Sequence, residues 1–284
     1  MTETVIGFDF GGTWLRAAEV GRDGSILWDE RRSPARDYPK DLEIVRGLVE
    51  RRSDDVVAAA VASPGPLDFH TGEVMRAANL QWLNQFPGRD IGEMLGVPTV
   101  VENDADVAAL AEATYGAGRD ADVLVYYGIG TGVGSGVVVN RAIFHGSLDP
   151  EFGHQILEPG SDRRCTAGHR GCLEALISGG SLVRVFGSVE AVPAEEWCEI
   201  VPHYLGQALA NAALFLSPRV IVLGGGVIDH RPDIVPPAIR EMEIMLEGFV
   251  PRPRVMISEL GKEVGILGAA AAAWKIYAED AASR

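Results

Sequence analysis

The sequence predicts an α/β protein with mixed sheets, built from one unit used twice. Three observations carry that reading. Short apolar, β-branched runs alternate with stretches whose apolar residues recur at helical spacing. The first half opens on three strands in succession and continues helix, strand, helix, strand. The second half opens in the same way, and in both halves the first turn is glycine-rich and carries a threonine. Two such copies related by a pseudo-twofold axis would set the glycine turns facing each other across a cleft.

The elements follow in order. Val5–Asp9 is an apolar strand, Phe10-Gly11-Gly12 a turn, and Thr13–Val20 a second strand. Asp23-Gly24 signals a hairpin into a third strand at Ser25–Asp29. Leu42, Ile44, Val45, Leu48 and Val49 have helical spacing. Val56–Ala62 is a fully apolar strand running into Ser63-Pro64-Gly65-Pro66. Val97–Val101 is a buried strand, and Val107–Ala113 a helix. The second meander is Val123–Tyr127, the turn Gly128-Ile129-Gly130-Thr131-Gly132, then Val133–Asn140 and Ala142-Ile143-Phe144. A polar loop is expected over Asp149–Gly180. Beyond it lie a helix at Tyr204–Leu216, a strand at Val220–Leu223 ending in Gly224-Gly225-Gly226, a helix at Ile234–Glu247, a strand at Val255–Ser258 and a small-residue helix at Gly265–Tyr277. The first domain is placed at residues 1–115 together with the C-terminal helix, about 265–284. The second is placed at 116–264, with the crossing near Tyr115–Asp122.

Composition bounds the function. A chain of 284 residues that is 47% hydrophobic can fill two α/β cores. A formal charge of −15 and a pI of about 4.8 argue against a nucleic-acid partner. Lysine is confined to Lys40, Lys262 and Lys275, none in a P-loop pattern. The three cysteines, Cys165, Cys172 and Cys198, are an odd number, and two share a polar loop. That pattern suits a cytoplasmic protein with a metal loop rather than a disulfide framework. Cys198, beside Trp197, reads as a buried packing residue. The N-terminus starts on a strand without a secretory pattern, and no apolar stretch reaches membrane-spanning length.

Five groups of residues carry chemistry. Asp9-Phe10-Gly11-Gly12-Thr13 sets glycine amides at a tight turn behind a carboxylate, a cradle for phosphate oxygens with Asp9 toward Mg²⁺. An ordinary β-turn is the bland alternative. Gly128–Gly136 misses the dinucleotide fingerprint in every register and leads into a strand, so it too suits phosphate. Gly224-Gly225-Gly226 allows a flat ligand such as adenosine to approach. Glu102-Asn103-Asp104-Ala105-Asp106 sits at a strand-to-helix junction, where open α/β sheets bind ligands and where Asn or Asp can equally serve as a helix cap. Cys165, His169 and Cys172, with His154 upstream, make a zinc signal of irregular spacing.

Taken together the motifs resemble the ROK family of bacterial sugar kinases and related repressors. They are D-x-G-G-T at Asp9–Thr13, S-P-G-P-L-D at Ser63–Asp68, N-L-x-W at Asn79–Trp82, E-N-D-A at Glu102–Ala105, G-x-G-T-G-x-G at Gly128–Gly134, E-x-G-H at Glu151–His154 and G-C-L-E at Gly171–Glu174. The resemblance implies an actin-like ATPase fold, a duplicated ribonuclease-H-like unit, with ATP and a hexose in an interdomain cleft. It implies Asp104 as catalytic base, and Gly65, Asn103, Glu151, His154 and Glu174 around the sugar. Asp9, Gly11, Gly12 and Thr13 would form the first phosphate turn, Gly130, Thr131 and Gly132 the second, and Gly225 and Gly226 the adenosine side. It also implies Mg²⁺, a homodimer and a structural zinc. The family's zinc loop has a cysteine where this chain has Ala167, so either His169 completes the set with His154, Cys165 and Cys172 or the metal is lost. The implied reaction is transfer of the γ-phosphoryl group of ATP to a hexose hydroxyl, glucose foremost, with N-acetylmannosamine, N-acetylglucosamine and fructose as alternatives and polyphosphate as an alternative donor. A sugar-sensing repressor would need a helix-turn-helix ahead of the strand at Val5.

Overall fold

The computed structural model describes residues 3–283, which form two compact units. The first holds the described residues up to Tyr115, a short excursion at His145–Asp149, and Lys262 onward; the second holds Gly116–Phe144 and Pro150–Gly261. The excursion groups with the first unit although the sequence reading placed it in the second.

In the first unit, strands β1 (Thr4–Phe10), β2 (Leu15–Val20) and β3 (Ile26–Arg32) form the expected meander. Helix α1 (Tyr38–Leu48) leads to β4 (Val56–Ser63). A small sheet that the sequence did not suggest follows, made of β5 (Leu67–Asp68), β6 (Glu73–Ala77) and β7 (Trp82–Gln85). Helix α2 (Pro87–Leu95), β8 (Thr99–Asn103) and α3 (Asp104–Thr114) complete this stretch. The five-stranded sheet has the order β3-β2-β1-β4-β8, with β1, β4 and β8 parallel.

Strand alternation decides what each face of β1 meets. Ile6, Phe8 and Phe10 enter a core with Leu48, Val61, Trp82 and Ile91. Each such buried side chain contributes about 1.5–3 kcal/mol, so Phe8→Ala alone would cost about 3–5 kcal/mol. The opposite face carries Gly7, Ala58 and Ala60, and it packs against the C-terminal helix Val264–Ser283. Small residues on both partners permit very close contact: a Cβ on Gly7 would lie 2.7 Å from the Ile266 carbonyl oxygen. Asp9 is on this second face. Gly265, at the start of the C-terminal helix, approaches so closely that a Cβ would lie 2.7 Å from the Asp9 carboxylate.

The second unit repeats the plan. Strands β9 (Val123–Ile129), β10 (Val133–Val139) and β11 (Ala142–Ile143) form the meander. Helices α4 (Leu173–Ile177), α5 (Gly179–Phe186) and α6 (Val201–Leu216) precede β12 (Val220–Gly224). Helices α7 (Gly226–His230) and α8 (Val235–Leu246) and strand β13 (Arg254–Ile257) follow. The C-terminal helix is α9. The sheet order β11-β10-β9-β12-β13 matches the first sheet position for position. The α6 face carrying Leu205, Leu209 and Ala212 packs onto Val125, Tyr127 and Ile221.

Two expectations need correcting. The stretch Asp149–Gly180 is not all loop, because α4 and the first residues of α5 lie inside it. Its polar flanks obscured a short apolar run, Leu173–Ile177, buried at every position. Cys198 is exposed rather than packed. It sits on a π-helical turn, Glu196–Ile200, whose buried positions are taken by Glu196 and Trp197.

Candidate functional site

In the first unit, the turn after β1 closes with the Gly11 N–H donating to the Trp14 carbonyl at 2.9 Å. Asn79, from the N-L-x-W stretch, packs directly on it: a Cβ on Gly12 would lie 2.8 Å from that of Asn79. Asp9, Gly11, Gly12 and Thr13 line a cavity of about 480 Å³ together with Arg31 and Lys262. Arg16 also borders it but is committed, bonding Asp29 through Nε at 2.9 Å and also bonding Glu263. The cations left facing the cavity are Arg31, over the Trp14 ring, and Lys262, 89% exposed. The sequence reading singled out neither, because an isolated surface cation has no pattern. Burial pushes the Asp9 carboxyl above its usual range, with Arg16 opposing. A largely buried carboxylate bordering a glycine cradle fits a hard, oxygen-seeking cation such as Mg²⁺.

The ends of β4 and β8 lie side by side, with Ser63 paired to Asn103. Gly65 therefore sits against Asn103: a Cβ there would be 3.2 Å from the Asn103 amide nitrogen. Asn103 is the N-cap of α3, its Oδ1 accepting the Ala105 N–H at 2.9 Å. Capping turns its side chain back onto the helix end, and Asp104, the first helical residue, is exposed. The cap is thus observed for Asn103, while Asp104 presents a carboxylate at the carboxyl edge of the sheet, the edge where open α/β sheets bind ligands.

The turn in the second unit is held from three sides. The Gly179 and Gly180 N–H groups donate to the Gly130 and Thr131 carbonyls at 2.8 and 3.0 Å. Those bonds commit the carbonyls, so N–H groups are what the turn offers a ligand. Gly225, at φ 91°, passes where a Cβ would be 2.6 Å from the Ile129 carbonyl oxygen, and Gly226 borders Gly130. The third support is Glu174. It is buried, with Oε2 accepting the Val133 N–H at 3.0 Å and Oε1 accepting the Thr166 hydroxyl at 2.9 Å and its N–H at 3.3 Å. Glu174 thus links the glycine turn to the Cys/His loop; Thr166 takes both acceptor positions of Oε1, and Oε2 keeps one lone pair for a further donor. Gly179, Gly180 and Thr166 were missed from sequence. The only signal was the dipeptide Gly179-Gly180 opening a helix.

The ligating atoms of His154, Cys165, His169 and Cys172 lie within 4.8 Å of one another. His154 Nδ1 is 3.8 Å from Cys172 Sγ, close to the edge of about 3.6 Å that a tetrahedral zinc sets between sulfur and nitrogen ligands. Two buried thiols and two imidazoles fit zinc. The structure places His169 beside the other three, where the missing cysteine would have been needed. Glu151 is exposed at the start of this segment. The residues expected around a sugar thus divide into Gly65, Asn103 and Asp104 on the first unit and Glu151, His154 and Glu174 on the second.

Two units of the same strand order, each with a glycine turn after its first strand, define the duplicated ribonuclease-H-like fold of the actin-like ATPases. Within that class the chain belongs to the ROK family, whose model matches residues 5–276. It is 28% identical to a glucokinase of Halalkalibacterium halodurans over 93% of this chain and 92% of that one. It is 30% identical to a fructokinase of Zymomonas mobilis over 93% and 94%. A ROK family glucokinase from Streptomyces griseus, solved with glucose and AMPPNP, superposes with a TM-score of 0.78 at 27% identity, covering 96% of this chain and 99% of that one. No helix among the described residues is long and apolar enough to cross a membrane.

Proposed function

We propose that this chain is an ATP-dependent hexose kinase, with glucose as its first substrate and Asp104 as the general base. The observation that carries the reading is the Asn103-Asp104 junction. One unit presents that carboxylate, held by a cap, together with a glycine-lined cavity bearing Asp9, Arg31 and Lys262. The relatives are named as sugar kinases, and one was solved with glucose and a nucleotide analogue, which supports the assignment.

Phosphoryl transfer needs in-line placement and neutralised charge more than covalent help from the protein. The N–H groups of Gly12 and Thr13 in the first turn and of Thr131 and Gly132 in the second serve the phosphate oxygens, since the Gly11 and Gly130 N–H groups close their own turns, and Gly225 and Gly226 leave room for the adenosine. Asp9 is the residue that would face Mg²⁺, which supplies positive charge to the phosphates when bound. Asn103, Glu151 and Glu174 hold ring hydroxyls. His154 offers Nε2 to a hydroxyl while Nδ1 faces the cysteine cluster. Asp104 orients the acceptor hydroxyl and takes its proton as the new P–O bond forms. His154, Cys165, His169 and Cys172 would hold a zinc that braces this wall.

Glucose leads because the kinase relatives include a glucokinase; the fructokinase at 30% identity makes fructose the specific alternative. A coupled ADP-release assay over a panel of glucose, fructose, N-acetylmannosamine and N-acetylglucosamine tests both levels. Sugar-dependent ADP release with the highest kcat/KM for glucose supports the full proposal. Highest kcat/KM for another hexose overturns the substrate only. ADP release with no dependence on any sugar overturns the kinase assignment.

A further inference from the structure

A second polar cluster on the first unit has no part in the reaction described above. His145 stacks on Phe69, ring centroids 4.3 Å apart and 14° from parallel. Its Nδ1 is 2.9 Å from Asp149 Oδ1, and its Nε2 is 3.3 Å from Glu102 Oε2. Beneath it lies Asp106, on the first turn of α3 and fully buried. Neither carboxylate oxygen of Asp106 has a hydrogen-bond partner. The ligating atoms of Asp106, His145 and Asp149 all lie within 4.8 Å of one another.

Three carboxylates around one imidazole leave an excess of negative charge even when the ring is protonated. A buried carboxylate without a donor, facing another carboxylate, requires a positive partner between them. One proton shared by Asp106 and Asp149 would satisfy one oxygen of Asp106 and strand the other. A cation can satisfy both. Octahedral ligation places ligand atoms about 3 to 4.3 Å apart, and the atoms of this cluster, none more than 4.8 Å from another, stand near that spacing. The ring is also set up for ligation. Nδ1 lies on the side of Asp149, while Nε2–H points to the Glu102 carboxylate, the outer-sphere partner that fixes a ligating histidine's tautomer.

We propose that Asp106, Asp149 and His145, with Glu102 orienting the imidazole, form a divalent-cation site. Its mixed oxygen and nitrogen donors suit Mn²⁺, Co²⁺ or Zn²⁺ rather than Ca²⁺. The site shares no residue with the Cys/His cluster and contains no thiol. It ties the 145–149 excursion to the helix that begins at Asp104, so the ion staples two segments far apart in sequence. Glu151 follows that excursion by two residues.

The test uses the full chain, stripped with chelator and titrated with Mn²⁺ in the absence of nucleotide, with free Mn²⁺ followed by electron paramagnetic resonance. The wild type is expected to take up one Mn²⁺ at micromolar concentration. Asp106→Asn, which keeps the shape and supplies a donor to Asp149, is expected to weaken that binding at least tenfold. Asp149→Asn serves as the second variant should the first not fold. In the wild type itself, bound Mn²⁺ should broaden the ring resonances of His145 and Phe69. Uptake that is identical in wild type and variants, or broadening that spares these two rings, overturns the site and leaves a shared proton as the occupant.

Discussion

Glycine at position 132 should be irreplaceable because of Glu174, and the size of the effect follows from distances. A Cβ at this position would stand 2.6 Å from Glu174 Oε2 and 3.4 Å from its Cδ. Ordinary contact begins near 3.4 Å, so the carboxylate would have to retreat by about 0.8 Å. It has little freedom to do so, being buried and held by Val133 and Thr166. Retreat stretches the 3.0 Å bond from the Val133 N–H beyond hydrogen-bonding range. A hydrogen bond to a charged group is worth about 1.5–3 kcal/mol, and overpacking in general costs about 1–3 kcal/mol. Gly132→Ala should therefore lower unfolding free energy by about 2 kcal/mol in urea melts followed by circular dichroism. Because Glu174 is assigned to the sugar, kcat/KM for glucose should fall by about 30-fold, the kinetic equivalent of that energy. Gly130→Ala is the control for stability. A Cβ there meets nothing closer than the Gly226 nitrogen at 4.0 Å, so its melt should stay within about 0.5 kcal/mol of wild type. If Gly132→Ala matches wild type in both melt and sugar kinetics, Glu174 is not the fixed link described here.

Further outcomes are expected. Asp104→Asn should lower kcat by about 10²–10⁴-fold in the coupled assay; as an exposed first-turn residue it should cost under about 1 kcal/mol of stability through the helix dipole. His169→Ala should abolish stoichiometric zinc in metal analysis of the purified protein, whereas unchanged zinc content would remove His169 from the ligand set. Glu19 should mark the acid limit of the first unit. Burial works to raise its pKa, but the Ser53 hydroxyl and N–H, the Thr4 hydroxyl and the Trp28 indole outweigh it, so the net shift is downward. A depressed carboxylate contributes stability that is present above its ordinary value, near 4.5, and lost as pH falls through the folded value. Glu19→Gln should cost about 1–3 kcal/mol at pH 7 by leaving a donor unpaired, and its stability should fall less steeply than wild type in acid. Exposed Phe215, Ile244 and Phe249 offer apolar surface for the homodimer that the family resemblance implies, which light scattering would register as twice the chain mass.

Legibility differed between elements for physical reasons. The two meanders were readable because a fully buried strand must be apolar along its length and the turn between strands must admit backbone close to a ligand. The motif residues Asp9–Thr13, Asn103-Asp104 and Gly130–Gly132 stood out as candidates because the chemistry proposed for each needs its residue types adjacent in the chain. Thr166 escaped notice because its hydroxyl and N–H meet Glu174 at a helix start hidden in a polar stretch, and Gly179 because its role is one backbone bond to Gly130, far back in the chain. Cys198 shows the limit of composition: a helical turn offers few buried positions, and Glu196 and Trp197 filled them.

By itself, then, the sequence determined that this is a duplicated α/β chain with two glycine-rich turns and one carboxylate junction, because local patterning dictates strands, turns and helix caps. Only tertiary structure decided which side chains meet. It brought His169 to the cysteine cluster, locked Glu174 between a turn and a loop, and drew His145 and Asp149 onto Glu102 and Asp106. Those meetings depend on how sheets and helices stack, and residues far apart along a chain leave no periodic trace of sharing a neighbourhood.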